Sequence, residues 1–122
     1  MNPKRLLIID DHDDVREALE ARLSAAPEID VVGCTSSWEV GLQRALKLEP
    51  DVVLLETKRT DGEGLEALQC LADRCAGAEV IVLTSYLDAE ERDVAWSNGA
   101  ARYLLKDIDT DRLVKEIQSL TQ

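Results

Sequence analysis

Five short runs rich in apolar residues punctuate this chain, and between them apolar residues recur at helical spacing. The runs are Leu6-Leu7-Ile8-Ile9, Ile29 to Gly33, Val52-Val53-Leu54-Leu55, Val80-Ile81-Val82-Leu83 and Arg102-Tyr103-Leu104-Leu105. An apolar run without polar alternation fits a strand covered on both faces, as in a parallel sheet. The intervening stripes are Val15, Leu19 and Leu23 with Ala18 alongside; Trp38, Leu42, Ala45 and Leu46; Leu65, Leu68 and Leu71 with Ala72; and Leu113, Ile117 and Leu120. Each marks an amphipathic helix. Asp88 with Glu91 three residues on predicts the N-cap and capping-box partner of one more helix, ending near Asn98-Gly99. Pro50 ends the second helix, and the last starts near Asp109 or Thr110.

Strand and helix alternate five times, which predicts an α/β fold: a parallel sheet with helices on both faces. The units share a period but no repeated sequence, so this is no solenoid. In a doubly wound sheet the ligand crevice lies beyond the carboxyl ends of the strands. The first strand delivers Asp10 and Asp11 there, the third Glu56, the fourth Thr84 and Ser85, the fifth Lys106. Clustered carboxylates repel unless a cation neutralises them. All-oxygen ligands suit Mg²⁺, which completes its shell with water and phosphate oxygens, and a lysine with a hydroxyl would hold the remaining phosphoryl oxygens. The pattern therefore points to a Mg²⁺-assisted phosphoryl site with a carboxylate acceptor. Taken singly, a paired Asp reads as a helix cap and a strand-end Lys as surface. Their arrival together at the ends of four strands reverses that reading.

Composition narrows the partners. Among 122 residues, 14 are Lys or Arg and 25 Asp or Glu, a formal charge of -11. Such a chain repels phosphate backbones and anionic membranes, so direct nucleic-acid or membrane binding is not expected. Aromatics make up 3% and Phe is absent, so Leu, Val, Ile and Ala must build the core. Cys34, Cys70 and Cys75 lack metal-finger spacing and read as small apolar residues in a reducing compartment. No signal peptide or spanning segment opens the chain, which leads us to expect a cytoplasmic protein. Trp38 and Trp96 are read as packing residues, and His12, the lone histidine, as a water-exposed helix-start residue.

Five markers together resemble the receiver domains of two-component response regulators: Leu7-Ile8-Ile9-Asp10-Asp11-His12, Pro50 to Leu55, Gly62-Glu63-Gly64-Leu65, Val82-Leu83-Thr84-Ser85 and Tyr103-Leu104-Leu105-Lys106-Asp107. The likeness covers essentially the whole chain and is nearest to receivers of NarL/FixJ (LuxR-type) transcription regulators. It implies a five-stranded CheY-like, flavodoxin-like (βα)5 fold with strand order 2-1-3-4-5, and a single receiver over residues 1–122 with any output domain outside this chain. By the same resemblance Asp10 and Asp11 match the acidic pair that binds Mg²⁺, Glu56 completes the metal cluster with them, and Lys58 would offer its backbone carbonyl to the metal. Thr84 matches the switch hydroxyl, Lys106 the phosphate-contacting lysine, and Tyr103 the aromatic that turns in or out with activation. The implied partners are a sensor histidine kinase, a C-terminal DNA-binding output domain and a second copy of the chain, with signal leaving through the fourth helix, fifth strand and fifth helix.

Two positions depart from the family. Glu56 stands where the phosphorylated Asp is usual, and its extra methylene adds roughly 1.5 Å of reach. That pushes the carboxylate toward Lys106 and into the phosphoryl space, so loss of ordinary phosphorylation and weakened Mg²⁺ binding are expected. Arg59-Thr60 replaces a hydrophobic residue and proline, which favours a natural pseudo-receiver over a laboratory substitution imitating phosphorylation or a variant acceptor. The rival reading is a Mg²⁺-dependent phosphotransferase or phosphatase, but the second acid such enzymes use two residues after the nucleophile is here Lys58. A flavodoxin-like carrier is weaker still, because Asp10-Asp11-His12-Asp13 would repel a cofactor phosphate.

Overall fold

The computed structural model describes residues 2–58 and 62–120; the Arg59-Thr60 departure lies outside them. The elements run β1 (Lys4–Ile9), α1 (Asp13–Ser24), β2 (Ile29–Thr35), α2 (Trp38–Leu48), β3 (Val52–Glu56), α3 (Gly64–Arg74), β4 (Glu79–Thr84), α4 (Ala89–Ser97), β5 (Ala100–Leu105) and α5 (Thr110–Leu120). All strand pairs are parallel, in the order β2-β1-β3-β4-β5. The fold expected from the alternation and the resemblance is thus the one found, with β2 running two residues further than its apolar stretch suggested.

The unbroken apolar runs follow from the period-two geometry of a strand with helices on both sides. Leu7, Ile9, Val53, Leu55, Val80 and Val82 point to one face and pack on Trp38 and Leu42 of α2, Leu68 and Leu71 of α3, and Ala95 of α4. Leu6, Ile8, Val52, Leu54, Ile81 and Leu83 point to the other, against Leu19 and Leu23 of α1 and Leu113, Val114 and Ile117 of α5. Extending these two rows past the strand ends positions the site. Asp10 and Glu56 continue the row facing α1 and α5, as does Lys106 beyond Leu104. Thr84 and Tyr103 continue the row facing α3 and α4.

Local signals fix the helix ends. Ser37 caps α2 by accepting the Val40 N–H, and Asp88 caps α4 by accepting those of Glu90 and Glu91. Gly64 admits no side chain, since a Cβ there would lie 1.6 Å from the Thr57 carbonyl oxygen. The first turn of α3 is thereby pressed against the residue that follows Glu56. Gly99 follows α4 with φ +105, a conformation that glycine adopts without strain.

Several packing expectations need correction. Leu65 and Leu46 are exposed, and Ala67 takes the buried place on α3 that Leu65 was expected to fill. Ala18 is also exposed. Trp38 is buried as expected, but Trp96 is 53% exposed with the Arg92 guanidinium over its ring. Asp88 is the N-cap as predicted, yet the side chain of Glu91 bonds elsewhere, and the Asp88 N–H donates to the Tyr103 hydroxyl instead.

Candidate functional site

At the carboxyl edge, the parallel register brings Asp10, Glu56 and Lys106 to the ends of β1, β3 and β5. Asp10 and Glu56 are each only 2% exposed. Lys106 Nζ lies 2.5 Å from Glu56 Oε2 and 3.2 Å from Asp10 Oδ2, bridging the two acids. Two opposite charges about 3 Å apart attract by roughly 5 kcal/mol at an effective dielectric near 20. Desolvation offsets much of that, so the pair holds its geometry more than it stabilises the fold.

The remaining oxygens are held by backbone. Glu56 Oε1 accepts the Lys58 N–H at 2.6 Å, and Asp10 Oδ1 accepts the His12 N–H at 2.8 Å. The Asp10 carbonyl accepts from Arg16, whose guanidinium also pairs with Asp13, so the turn between β1 and α1 is pinned from the helix side. His12 is partly exposed, as its helix-start reading required. Its Nδ1 nevertheless sits 3.1 Å from Asp10 Oδ1 and 3.2 Å from Asp11 Oδ1, spanning the two acids.

One ligand atom each from Asp10, His12 and Glu56 lie within 4.8 Å of one another, a grouping compact enough for a metal ion. Asp11 borders the group through His12 but is outside it. His12 was legible only as the neighbour of an acidic pair, because sequence does not tell which way its ring turns. The donor chemistry suits a hard divalent cation in part. The carboxylates fit, whereas Lys106 already stands on one oxygen of each of Asp10 and Glu56.

Thr84 is fully buried and its hydroxyl donates to the Tyr86 carbonyl at 2.9 Å. Tyr103 is 8% exposed, and its hydroxyl donates to Glu91 Oε1 at 2.5 Å. Burial first, and then the Glu91 carboxylate, push the Tyr103 phenol above its ordinary range. All three cysteines are free. Burial pushes the Cys34 thiol up to about 12, which suits its reading as an inert apolar residue.

Five parallel strands in this order, carrying acids and a lysine at the crevice where nucleotide-binding doubly wound sheets carry a phosphate-cradling loop, define an α/β signalling domain of the receiver type. The sequence pattern described as response regulator receiver domain matches residues 6–118, and the chain belongs to that family. It is 35% identical over 115 residues to nitrate/nitrite response regulator protein NarL of Escherichia coli (strain K12), covering 94% of this chain and 53% of that protein. It is 38% identical over 102 residues to transcriptional regulatory protein LiaR of Bacillus subtilis (strain 168), covering 84% and 48% respectively. A response-regulator signal receiver domain from Mycobacterium tuberculosis shares the fold with a TM-score of 0.89 at 24% identity, over 98% of this chain and 96% of that one. The chain is thus a receiver domain of the NarL/LuxR type, and it spans about half the length of the curated relatives it matches. Among the described residues no helix is long and apolar enough to cross a membrane.

Proposed function

We propose that this receiver works without phosphorylation, Glu56 standing permanently at the acceptor position as an internal partner of Lys106. The observation that carries the reading is the 2.5 Å contact between Glu56 Oε2 and Lys106 Nζ, with the Glu56 side chain 1% exposed. In-line attack on a phosphodonor requires a carboxylate oxygen aimed at the incoming phosphorus. Here one oxygen is engaged by Lys106 and the other by the Lys58 N–H.

Asp10, Asp11 and Glu56, with the Lys58 carbonyl, are the residues that would hold Mg²⁺, more weakly than if Lys106 did not compete for Asp10 and Glu56. When bound, the ion would supply positive charge to these acids. Thr84 and Lys106 are the groups that would contact a phosphoryl oxygen, and Tyr103 is the switch residue that hands the state of the site to the face formed by α4, β5 and α5. The likeness to whole transcription regulators supports a DNA-binding output domain in the natural protein and a cytoplasmic setting. A sensor kinase or other protein supplies the upstream input. Self-association is part of the proposal and is expected to strengthen with salt, which screens the charge of -11.

Intact-protein mass spectrometry after incubation with acetyl phosphate and Mg²⁺ tests the reading. The native chain should gain no phosphate-sized mass, and Glu56→Asp should gain one. A gain on the native chain that disappears in Glu56→Gln would show Glu56 to be a working acceptor.

A further inference from the structure

Next to the acidic cluster lies a second set of charged contacts that the receiver chemistry leaves unused. Lys58 Nζ is 3.3 Å from Glu91 Oε2 and 3.9 Å from the centroid of the Tyr86 ring. The other oxygen of Glu91 accepts the Tyr103 hydroxyl, and the Tyr103 oxygen in turn accepts the Asp88 N–H at 3.2 Å. Lys58 is tied at its backbone to Glu56 Oε1. An unbroken path therefore runs from the carboxylate ending β3, through Lys58 and Glu91, to the aromatic ring on β5.

Thr84 also borders Tyr103, but a hydroxyl has one proton to give and this one goes to the Tyr86 carbonyl. It carries no proton toward Glu56. The Lys58 ammonium also explains why Glu91 leaves the capping-box position. In the capping-box position the carboxylate would accept the Asp88 N–H; beside the Lys58 ammonium it accepts the Tyr103 hydroxyl instead, and the Asp88 N–H turns to the Tyr103 oxygen.

We propose that Lys58 and Glu91 are positioning residues that couple the carboxylate at position 56 to the inward ring of Tyr103, by an ionic route that does not pass through Thr84. This rests on the receiver reading in treating Tyr103 as part of the output face. If the Glu56 oxygen withdraws from the Lys58 N–H, the backbone leading into the loop after β3 is released. The ammonium then shifts from Glu91, and the Tyr103 hydroxyl loses its fixed acceptor. Glu91 thereby reads the acidic site and α4 at once.

The chain holds two tyrosines, so ring-labelled tyrosine gives an NMR spectrum of two resolvable sets. Glu56→Ala, and the milder Glu56→Asp, should both shift the Tyr103 ring resonances in the otherwise native chain. In a Lys58→Met background the same changes should move them by about half as much or less, while in Thr84→Val the full shift remains. Glu91→Gln keeps an acceptor for the hydroxyl but loses the charge for Lys58. It should leave Tyr103 buried yet insensitive to position 56. A shift that survives Lys58→Met, or one that vanishes in Thr84→Val, would overturn the proposal. No phosphodonor is present, so this outcome is independent of whether Glu56 accepts phosphate.

Discussion

The two ends of the sheet use the same residue types for opposite purposes. At the amino end, Arg5 reaches the carbonyl oxygens of Leu48 and Glu49, and Asp51 accepts the Arg5 N–H at 2.9 Å. There a charged side chain meets backbone, closes the end of α2 where Glu49 turns left-handed at φ 51, and stays partly wet. At the carboxyl end Asp10, Glu56 and Lys106 meet one another, with side-chain exposures of 3%, 1% and 11%. A charge satisfied by backbone finishes a helix or strand and can be exchanged for another cap. Buried charges that neutralise one another are interdependent, because removing Lys106 leaves two carboxylates buried without their cation.

The largest effect expected from this contrast is on stability. Lys106→Met strands two buried carboxylates and should cost about 3 kcal/mol in urea denaturation with chelator present. Arg5→Met at the other end should cost about 1 kcal/mol or less, because water can replace its carbonyl contacts. Equal costs would erase the distinction between the two ends.

Mg²⁺ sharpens the comparison next. Isothermal titration should give weak binding to the native chain and none to Asp10→Asn. Glu56→Asp, by drawing the carboxylate back from Lys106, should bind about tenfold more tightly. The same heat from the native chain and Asp10→Asn would remove Asp10 from the site.

A smaller effect is expected at high pH from Tyr103. Its folded-state pKa is raised, by burial and then by Glu91. Above the ordinary pKa of about 10 the unfolded chain therefore loses the phenolic proton while the folded chain keeps it. Stability contributed by the neutral phenol is present below that pH and declines as pH rises through it toward the folded value. Urea midpoints should fall less steeply over this range in Tyr103→Phe than in the native chain, and an identical slope would contradict the assignment.

How legible each end was in the sequence follows the same division. The strands announced themselves because burial on both faces leaves no polar position in Leu6 to Ile9 or Val52 to Leu55. The acidic residues could be placed because a parallel sheet delivers every strand end to one edge. The phase of α3 differs from the one its hydropathy suggests, because Leu65 is large and apolar while the buried row runs through Gly64, Ala67, Leu68 and Leu71. Small residues mark that face by allowing close approach, not by hydropathy. The Lys58–Glu91 contact joins residues 33 positions apart (91 − 58) by side chains alone and so leaves no periodic trace. The same holds for the ring of His12 and the exposed face of Trp96.

Lys106 holds Glu56 in place of a phosphoryl group, and lysine-ammonium NMR reads that contact directly. The Lys106 ammonium should exchange slowly with solvent and show a through-hydrogen-bond coupling to the side-chain carboxyl carbon of Glu56. An ammonium that exchanges as fast as those of exposed lysines, with no coupling to Glu56, would contradict it.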